Sequence, residues 1–363
     1  MRAPRDGSLG ERVRAKVDAL RQSPEFANYL LARERILELL ENDRAREGGP
    51  PEPSLYWREE LAGLEYMLDA SPLVVERLRH HSYHLTGLRP YDYRSNRDAQ
   101  QQMVLDKLTA LRELGSEPLE VPESPALGGF GFEIDGGLYN VDTLKFTECS
   151  LALERSGVLQ TLREAPARPV VWEVGGGWGG YAYTFKTLIP RCTYVITDLP
   201  EVLLFSATYL MTVFPHAELR FHGTRHDGDA LSSPEGADFV FASNGALADT
   251  RPPRLDLALN MVSFQEMTSA QVRAYCEHAH GLGCRYLYSL NRDRSHYNRE
   301  LSSVSAIIGE RYETREVPIL PVSYPERLTP KKIARGPQPD RYRHLVGWRP
   351  GQAPPPGLLE YES

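Results

Sequence analysis

Residues 170–185 read VVWEVGGGWGGYAYTF, with five glycines in six positions directly after an apolar run. Backbone without Cβ atoms can take positive φ and let a ligand lie close, at an entropic cost that an ordinary turn does not need. The chemistry such a stretch offers is nucleotide binding. A P-loop needs Gly-Lys-Ser/Thr at its end and none follows, which disfavours a nucleoside triphosphate. Two patterns remain, beside a purely structural turn. Gly175, Gly177 and Gly180 match G-x-G-x-x-G, the NAD spacing, while Glu173 with Gly175, Gly177 and Gly179 matches E/D-x-G-x-G-x-G, the spacing of S-adenosylmethionine (SAM) enzymes. A glycine match alone is weak evidence for either. Glu173 discriminates, because a carboxylate at the mouth of a strand opposes a pyrophosphate and suits an ammonium and a sulfonium. Asp198, 25 residues further on in VITDLPEVL, is placed to accept ribose hydroxyls, a role both cofactors share. SAM is the expected cofactor, and an NAD(P)-dependent oxidoreductase is the rival.

Methyl transfer to a hydroxyl is an in-line displacement helped by a general base within hydrogen-bond reach. Glu266 in NMVSFQEM is the first candidate base, although an acid there also suits a helix N-terminus. His296 in NRDRSHYNRE is the second, and in the same loop Arg292 and Tyr297 are candidate substrate contacts. FHGTRHDGD brings together His222, His226, Asp227 and Asp229, which could hold a divalent ion, but Asp-Gly-Asp is first of all a turn and no metal is expected. In RHHSYHLTGLRPYDY, His80, His81 and His84 lie near Tyr83, Tyr91 and Tyr93, with His84 the expected substrate contact. Trp178, inside the glycine run, reads as packing.

These groups need a scaffold that gathers them. From about residue 166, the runs PVVWEV, TYVITDL, ELRFHG, DFVFAS, LDLALNMV and CRYLYSL alternate with helical stretches, and they are continuously apolar, as parallel strands covered on both faces are. RYETREVPI and RHLVGWRP read as two last strands. The first third is helical in pattern, with Leu30, Leu31, Ile36, Leu37, Leu39 and Leu40 at helical spacings in one segment. The expected division is a helical region over 1–117, a Pro- and Gly-rich linker over 118–138, and a cofactor-binding α/β domain over 139–363. The 363 residues are 41% hydrophobic and 25% charged, with a net charge of −7 that disfavours a nucleic-acid partner. No membrane span or secretory signal is recognised, and four scattered cysteines argue against a disulfide framework, so a cytoplasmic protein is expected.

With EVGGGWGG, ITDLPEVL, LALNMVSFQEMT and YLYSLNRDR in view, the chain resembles a class I SAM-dependent methyltransferase. More narrowly, it resembles the sugar O-methyltransferase family associated with nanchangmycin-type antibiotic clusters, over roughly residues 140–350. The resemblance implies an α/β fold: a Rossmann-like sheet with a terminal β-hairpin, preceded by a mainly helical region. It implies that Glu173 and the glycine loop hold the methionine end of SAM and Asp198 the ribose. Leu199, Ser243 and Asn244 would face the adenine, Asn260 would close the site beneath the sulfonium, and Tyr139 and Asn140 would form a flap. The implied acceptor is a hydroxyl of a sugar or glycosylated natural product, with a non-sugar oxygen, nitrogen or carbon as the alternative. A homodimer through the helical region is expected, and a protein that binds a partner without turnover is the reading from another class.

Overall fold

The structure is a computed structural model that describes residues 8–46, 52–234, 236–294, 298–335 and 340–359. A small hairpin, β1 (Phe132–Ile134) and β2 (Gly137–Tyr139), precedes eight strands that form one sheet. They are β3 (Val170–Val174), β4 (Thr193–Asp198), β5 (Leu219–Phe221), β6 (Phe239–Ser243), β7 (Leu257–Met261), β8 (Tyr286–Asn291), β9 (Glu313–Glu316) and β10 (Arg343–Trp348). Their order is β5-β6-β4-β3-β7-β8-β10-β9, and every pairing is parallel except those of β10 with β8 and β9. This is the Rossmann-like sheet with a terminal hairpin that the resemblance implies, β9 and β10 being joined by the long segment 317–342. All residues of β3, β6, β7 and β8 are buried, which is why their sequences are largely apolar, with Glu173, Ser243, Asn260, Ser289 and Asn291 as buried polar exceptions.

The order reverses at β3, since the chain leaves it toward β4 on one side and returns to β7 on the other. Loops at the carboxyl ends of strands flanking such a reversal diverge and leave a crevice for ligands.

Eight helices of at least eight residues surround the sheet: α1 (Leu9–Arg21), α2 (Pro24–Ala45), α3 (Leu55–Ala62), α4 (Asp98–Glu113), α5 (Val141–Arg155), α6 (Gly180–Leu188), α7 (Pro200–Val213) and α8 (Ser269–Gly281), counted among the described residues. Ser23 caps α2 by accepting the Phe26 amide, and Pro24 occupies its first turn. Its buried face is Tyr29, Ala32, Ile36, Leu39 and Asp43, a stripe at helical spacing, while Leu30 and Leu31 of the expected apolar set face outward. This stripe packs on α7, with Asn28 Nδ2 donating to Thr212 Oγ1 at 3.3 Å.

Consequently the expected partition does not appear as separate bodies. One hydrophobic core runs from Tyr29 through Leu111, Phe146 and Phe205 to Leu358. Residues 118–138 are no free linker either: Leu119, Leu127, Phe130 and Phe132 are buried in that same core, and β1 and β2 lie within the segment or at its end. A second core covers the opposite face of the sheet, under α8.

Because α2 shares its core with the sheet, Ile36→Ala should destabilise the whole chain by about 2–5 kcal/mol in one cooperative calorimetric transition. Two resolved transitions, with only the smaller one shifted, would show an independent helical domain.

Candidate active site

β3 delivers Glu173 and then the glycine loop to the crevice. Gly175 has φ +76° and Gly177 φ +55°, backbone that L side chains rarely adopt. A Cβ on Gly175 would fall 2.1 Å from Ser263 Oγ, whereas one on Gly177 would meet nothing within 4 Å. Gly175 is therefore required by the protein itself, and Gly177 leaves the open space. The Gly177 N–H donates to Asp198 Oδ2 at 2.9 Å, and the Leu199 N–H to Asp198 Oδ1 at 2.8 Å. Asp198 thus shapes the loop and still has lone pairs for a ligand's hydroxyls.

Trp178 fastens the loop from the other side. Its Nε1 donates to Asp142 Oδ2 at 3.1 Å, and the Arg79 guanidinium lies 3.8 Å from its ring centroid. Arg79 is buried and pairs with Glu123 at 2.9 Å and Asp142 at 2.8 Å, while Lys145 Nζ stands 3.0 Å from Asp142 Oδ1. Two cations and two carboxylates balance one another there. Asn140 caps α5 through the Thr143 amide and also donates to Glu123 and to the Phe130 carbonyl. That cap orients α5 so that Lys145 and Phe146 reach the crevice.

The crevice holds a cavity of about 290 Å³. Its floor is Glu173, the glycine loop and Asp198; its walls are Lys145 and Phe146 of α5, Tyr56 and Trp57 of α3, Leu85–Gly87, the turn Met261–Glu266, and Tyr324 and Tyr342 of the segment between β9 and β10. A recess of about 40 Å³ shares Trp57, Gly175, Asp198 and Ser263 with it and continues to Leu199, Asn244, Met267, Gln271 and Tyr275. The recess is too small for a purine as it stands.

The turn after β7 is held by side-chain amides. Asn260 Nδ2 donates to the Val174 carbonyl at 2.6 Å, and its Oδ1 accepts from the Phe264 N–H at 2.9 Å and Asn291 Nδ2 at 2.8 Å. Gln265 accepts the Arg292 N–H at 3.0 Å and donates to Tyr342 at 3.2 Å. Val262 adopts φ +65°, a costly conformation for a β-branched residue, where the turn swings Ser263 toward Gly175.

Three carboxylates face this cavity: Glu173, Asp198 and Glu266. Burial pushes the Glu173 carboxyl up to about 8, against the Tyr194 hydroxyl that donates to it at 3.0 Å. Burial also raises Asp198 to about 7, and Glu266 to about 8 with Asp198 and Glu60 adding repulsion. Groups perturbed by burial and by one another in a cleft mark a functional site.

Several expected contacts lie elsewhere. Asn260 does not line the cavity; its amide is consumed in tying β3, β7 and β8 together. Gly179 packs against α7, where a Cβ would come 3.1 Å from Ser206 Cα. Ser243 Oγ donates to buried Asp43 of α2 at 2.9 Å, so it anchors the segment carrying Asn244 instead of facing a ligand. Tyr139 donates to Glu120 at 3.2 Å and, like Asn140, forms no flap. His84 lies 3.8 Å from Glu60 and stacks on Tyr83, one residue short of the lining. Arg292 lies 4.6 Å from the Tyr342 ring centroid, behind that wall residue and outside the lining. His80 packs on Phe130 and His81 on Tyr66, so the three histidines do not converge. Asp227 accepts the Phe221 amide at 2.8 Å and Asp229 pairs with Ser232 and His222, which makes FHGTRHDGD a turn. Among the described residues, no three His, Cys, Asp or Glu are grouped to hold a metal. No described helix is long and apolar enough to cross a membrane. His296 and Tyr297 lie outside the described residues.

No protein-family model matches the chain, and no curated protein sequence does. Among solved structures it is similar to magnesium protoporphyrin IX methyltransferase from Synechocystis PCC 6803 with bound SAM, at 10% identity over 69% of this chain and 95% of that one, TM-score 0.33. It is similar to human N-acetylserotonin methyltransferase in complex with SAM, at 11% identity over 95% and 99%, TM-score 0.30. It is also similar to the small RNA methyltransferase HEN1, at 11% identity over 56% of this chain, TM-score 0.33, and spans only 26% of that chain's length. At such values the chemistry has to come from this chain's own geometry.

The two positive-φ glycines Gly175 and Gly177 should behave differently in urea melts. Gly175→Ala combines left-handed strain with overlap on Ser263 and should cost roughly 2–4 kcal/mol, against about 1–2 kcal/mol of strain alone for Gly177→Ala. Equal costs would mean that Ser263 moves freely away.

Proposed function

We propose that this chain is a SAM-dependent methyltransferase acting on a hydroxyl group of a sugar. The observation that carries the cofactor is the charge of the cavity: among the described residues three crowded carboxylates face it, and the one lining cation, Lys145, is already paired with Asp142. Such a site attracts a ligand with an ammonium and a sulfonium and repels a dinucleotide's pyrophosphate. Glu173 would hold the amino group, Lys145 the carboxylate, Asp198 the ribose hydroxyls, and Leu199 and Asn244 the adenine. When bound, SAM supplies a methyl group on a positively charged sulfur.

The rest is the work of the chain. Trp57, Phe146, Tyr324 and Tyr342 exclude water and offer rings against which the apolar face of a sugar packs. Glu266, on the same cavity, takes the hydroxyl proton as the acceptor oxygen becomes nucleophilic. A nearby cation lowers its raised pKa and readies it as a base at neutral pH. The sugar rests on the resemblance of the quoted motifs together with this aromatic wall.

Calorimetric titration with SAM, its demethylated product S-adenosylhomocysteine and NAD⁺ tests the reading; micromolar binding of NAD⁺ alone would overturn it. Because the cavity acids hold protons near neutrality that a cation displaces, SAM affinity should rise between pH 6 and 7.5, by up to about tenfold per unit for each proton displaced. In the free protein the sign is opposite. Raised carboxyl pKa values stabilise the fold below the ordinary carboxylate range, and that contribution is lost as pH rises through about 7–8, so the melting temperature should fall there and recover on adding ligand. Glu266→Gln should lower kcat by about 10²–10⁴-fold with a far smaller effect on cofactor affinity.

A further inference from the structure

We propose that the acceptor half of this cavity is shaped for a sugar that carries a protonated amine, an inference that rests on the SAM reading above. Among the described residues four charged side chains line the cavity: Lys145, Glu173, Asp198 and Glu266. Lys145 belongs to the balanced group with Asp142, Arg79 and Glu123. A bound SAM has a net charge of one, and its amino-acid end and ribose occupy Glu173 and Asp198. Glu266 is left over.

Around Glu266, Asp198 and Glu60 add to the effect of burial and raise its pKa, while Lys145 lowers it. Glu60, one helical turn beyond Tyr56 on α3, also raises the pKa of Tyr56 after burial and Glu266 have done so, and His84 lies 3.8 Å from Glu60. Two cations near this half have aromatic partners: Arg292 lies over Tyr342 at 4.6 Å, and Lys145 over Tyr324 at 5.4 Å. Tyr56 and Trp57 are packed edge to face at 5.6 Å, and among the described residues no cation lies over either ring. A carboxylate beside aromatic faces free to receive a cation is the combination that recognises an ammonium group. A neutral sugar offers Glu266 no cation against which to ionise, and a uronate or sugar phosphate opposes its ionisation. The ammonium also favours the ionised form of Glu266, so the substrate helps to prepare the base that deprotonates its own hydroxyl.

The test uses the intact protein saturated with S-adenosylhomocysteine and three probes: glucosamine, N-acetylglucosamine and glucuronate, titrated by saturation-transfer NMR at pH 7. Glucosamine should bind on the order of tenfold more tightly than N-acetylglucosamine, and glucuronate more weakly than either. The advantage should shrink in high salt and disappear in Glu266→Gln. Equal or tighter binding of the acetylated or acidic sugar, binding of none of the three, or a preference that survives Glu266→Gln overturns the proposal. If the protein fails to bind S-adenosylhomocysteine at the outset, the SAM reading has failed and this inference with it; if it binds and the preference is absent, only this inference falls.

Discussion

Like charge crowded at the carboxyl ends of the sheet organises this molecule. Glu173, Asp198 and Glu266 come from three separate segments, the end of β3, the end of β4 and the turn after β7, and all three open on one cavity. Glu173 is buried and Asp198 and Glu266 are partly so, which holds each carboxylate toward its neutral form, and a fold that served only its own stability would gain by replacing one of them. The arrangement makes sense when a cation completes it. The same repulsion that strains the free site would favour a ligand carrying positive charge.

That crowding can persist because the surrounding structure is tightly determined. The glycine loop is held at both ends: Asp198 accepts two backbone amides, and Trp178 is gripped by Asp142 and Arg79. On the far side, the amides of Asn260, Asn291 and Gln265 tie the turn after β7 to its neighbours. Neither clamp needs to touch a ligand. Each fixes an acid that lines the cavity, which is how a site keeps its geometry while its charges repel one another.

The helical first third belongs to this machinery. α3 supplies Tyr56 and Trp57 to the wall of the cavity, and Arg79 supplies the buried cation behind the glycine loop. The end of α2 brings Asp43 to Ser243 and so close to Gly245 that a Cβ there would sit 2.5 Å from the carboxylate. A change in α2 therefore acts on the segment beside the cofactor recess although 200 residues of chain separate the two positions.

Eight sheet strands, the helical start, the glycine loop and the acids Glu173, Asp198 and Glu266 were readable in the amino-acid sequence, because burial on both faces writes a continuous apolar run and because glycine and carboxylate are chosen by local backbone and charge. What escaped it was direction. In LYNVDTLKF, Tyr139 and Asn140 were expected to form a flap, yet Asn140 turns inward to cap α5 while Lys145 and Phe146, one turn later, line the cavity. Asn260, Ser243 and Tyr139 look equally polar in sequence, but only the packed fold shows their hydrogen bonds spent on the protein. Tyr56, Trp57, Tyr324 and Tyr342 meet from opposite ends of the chain, and no local pattern encodes a meeting of that kind. Sequence determined which elements form and which chemistry is present; tertiary packing decided which side chains share one small, poorly hydrated volume, because that depends on contacts between residues hundreds of positions apart.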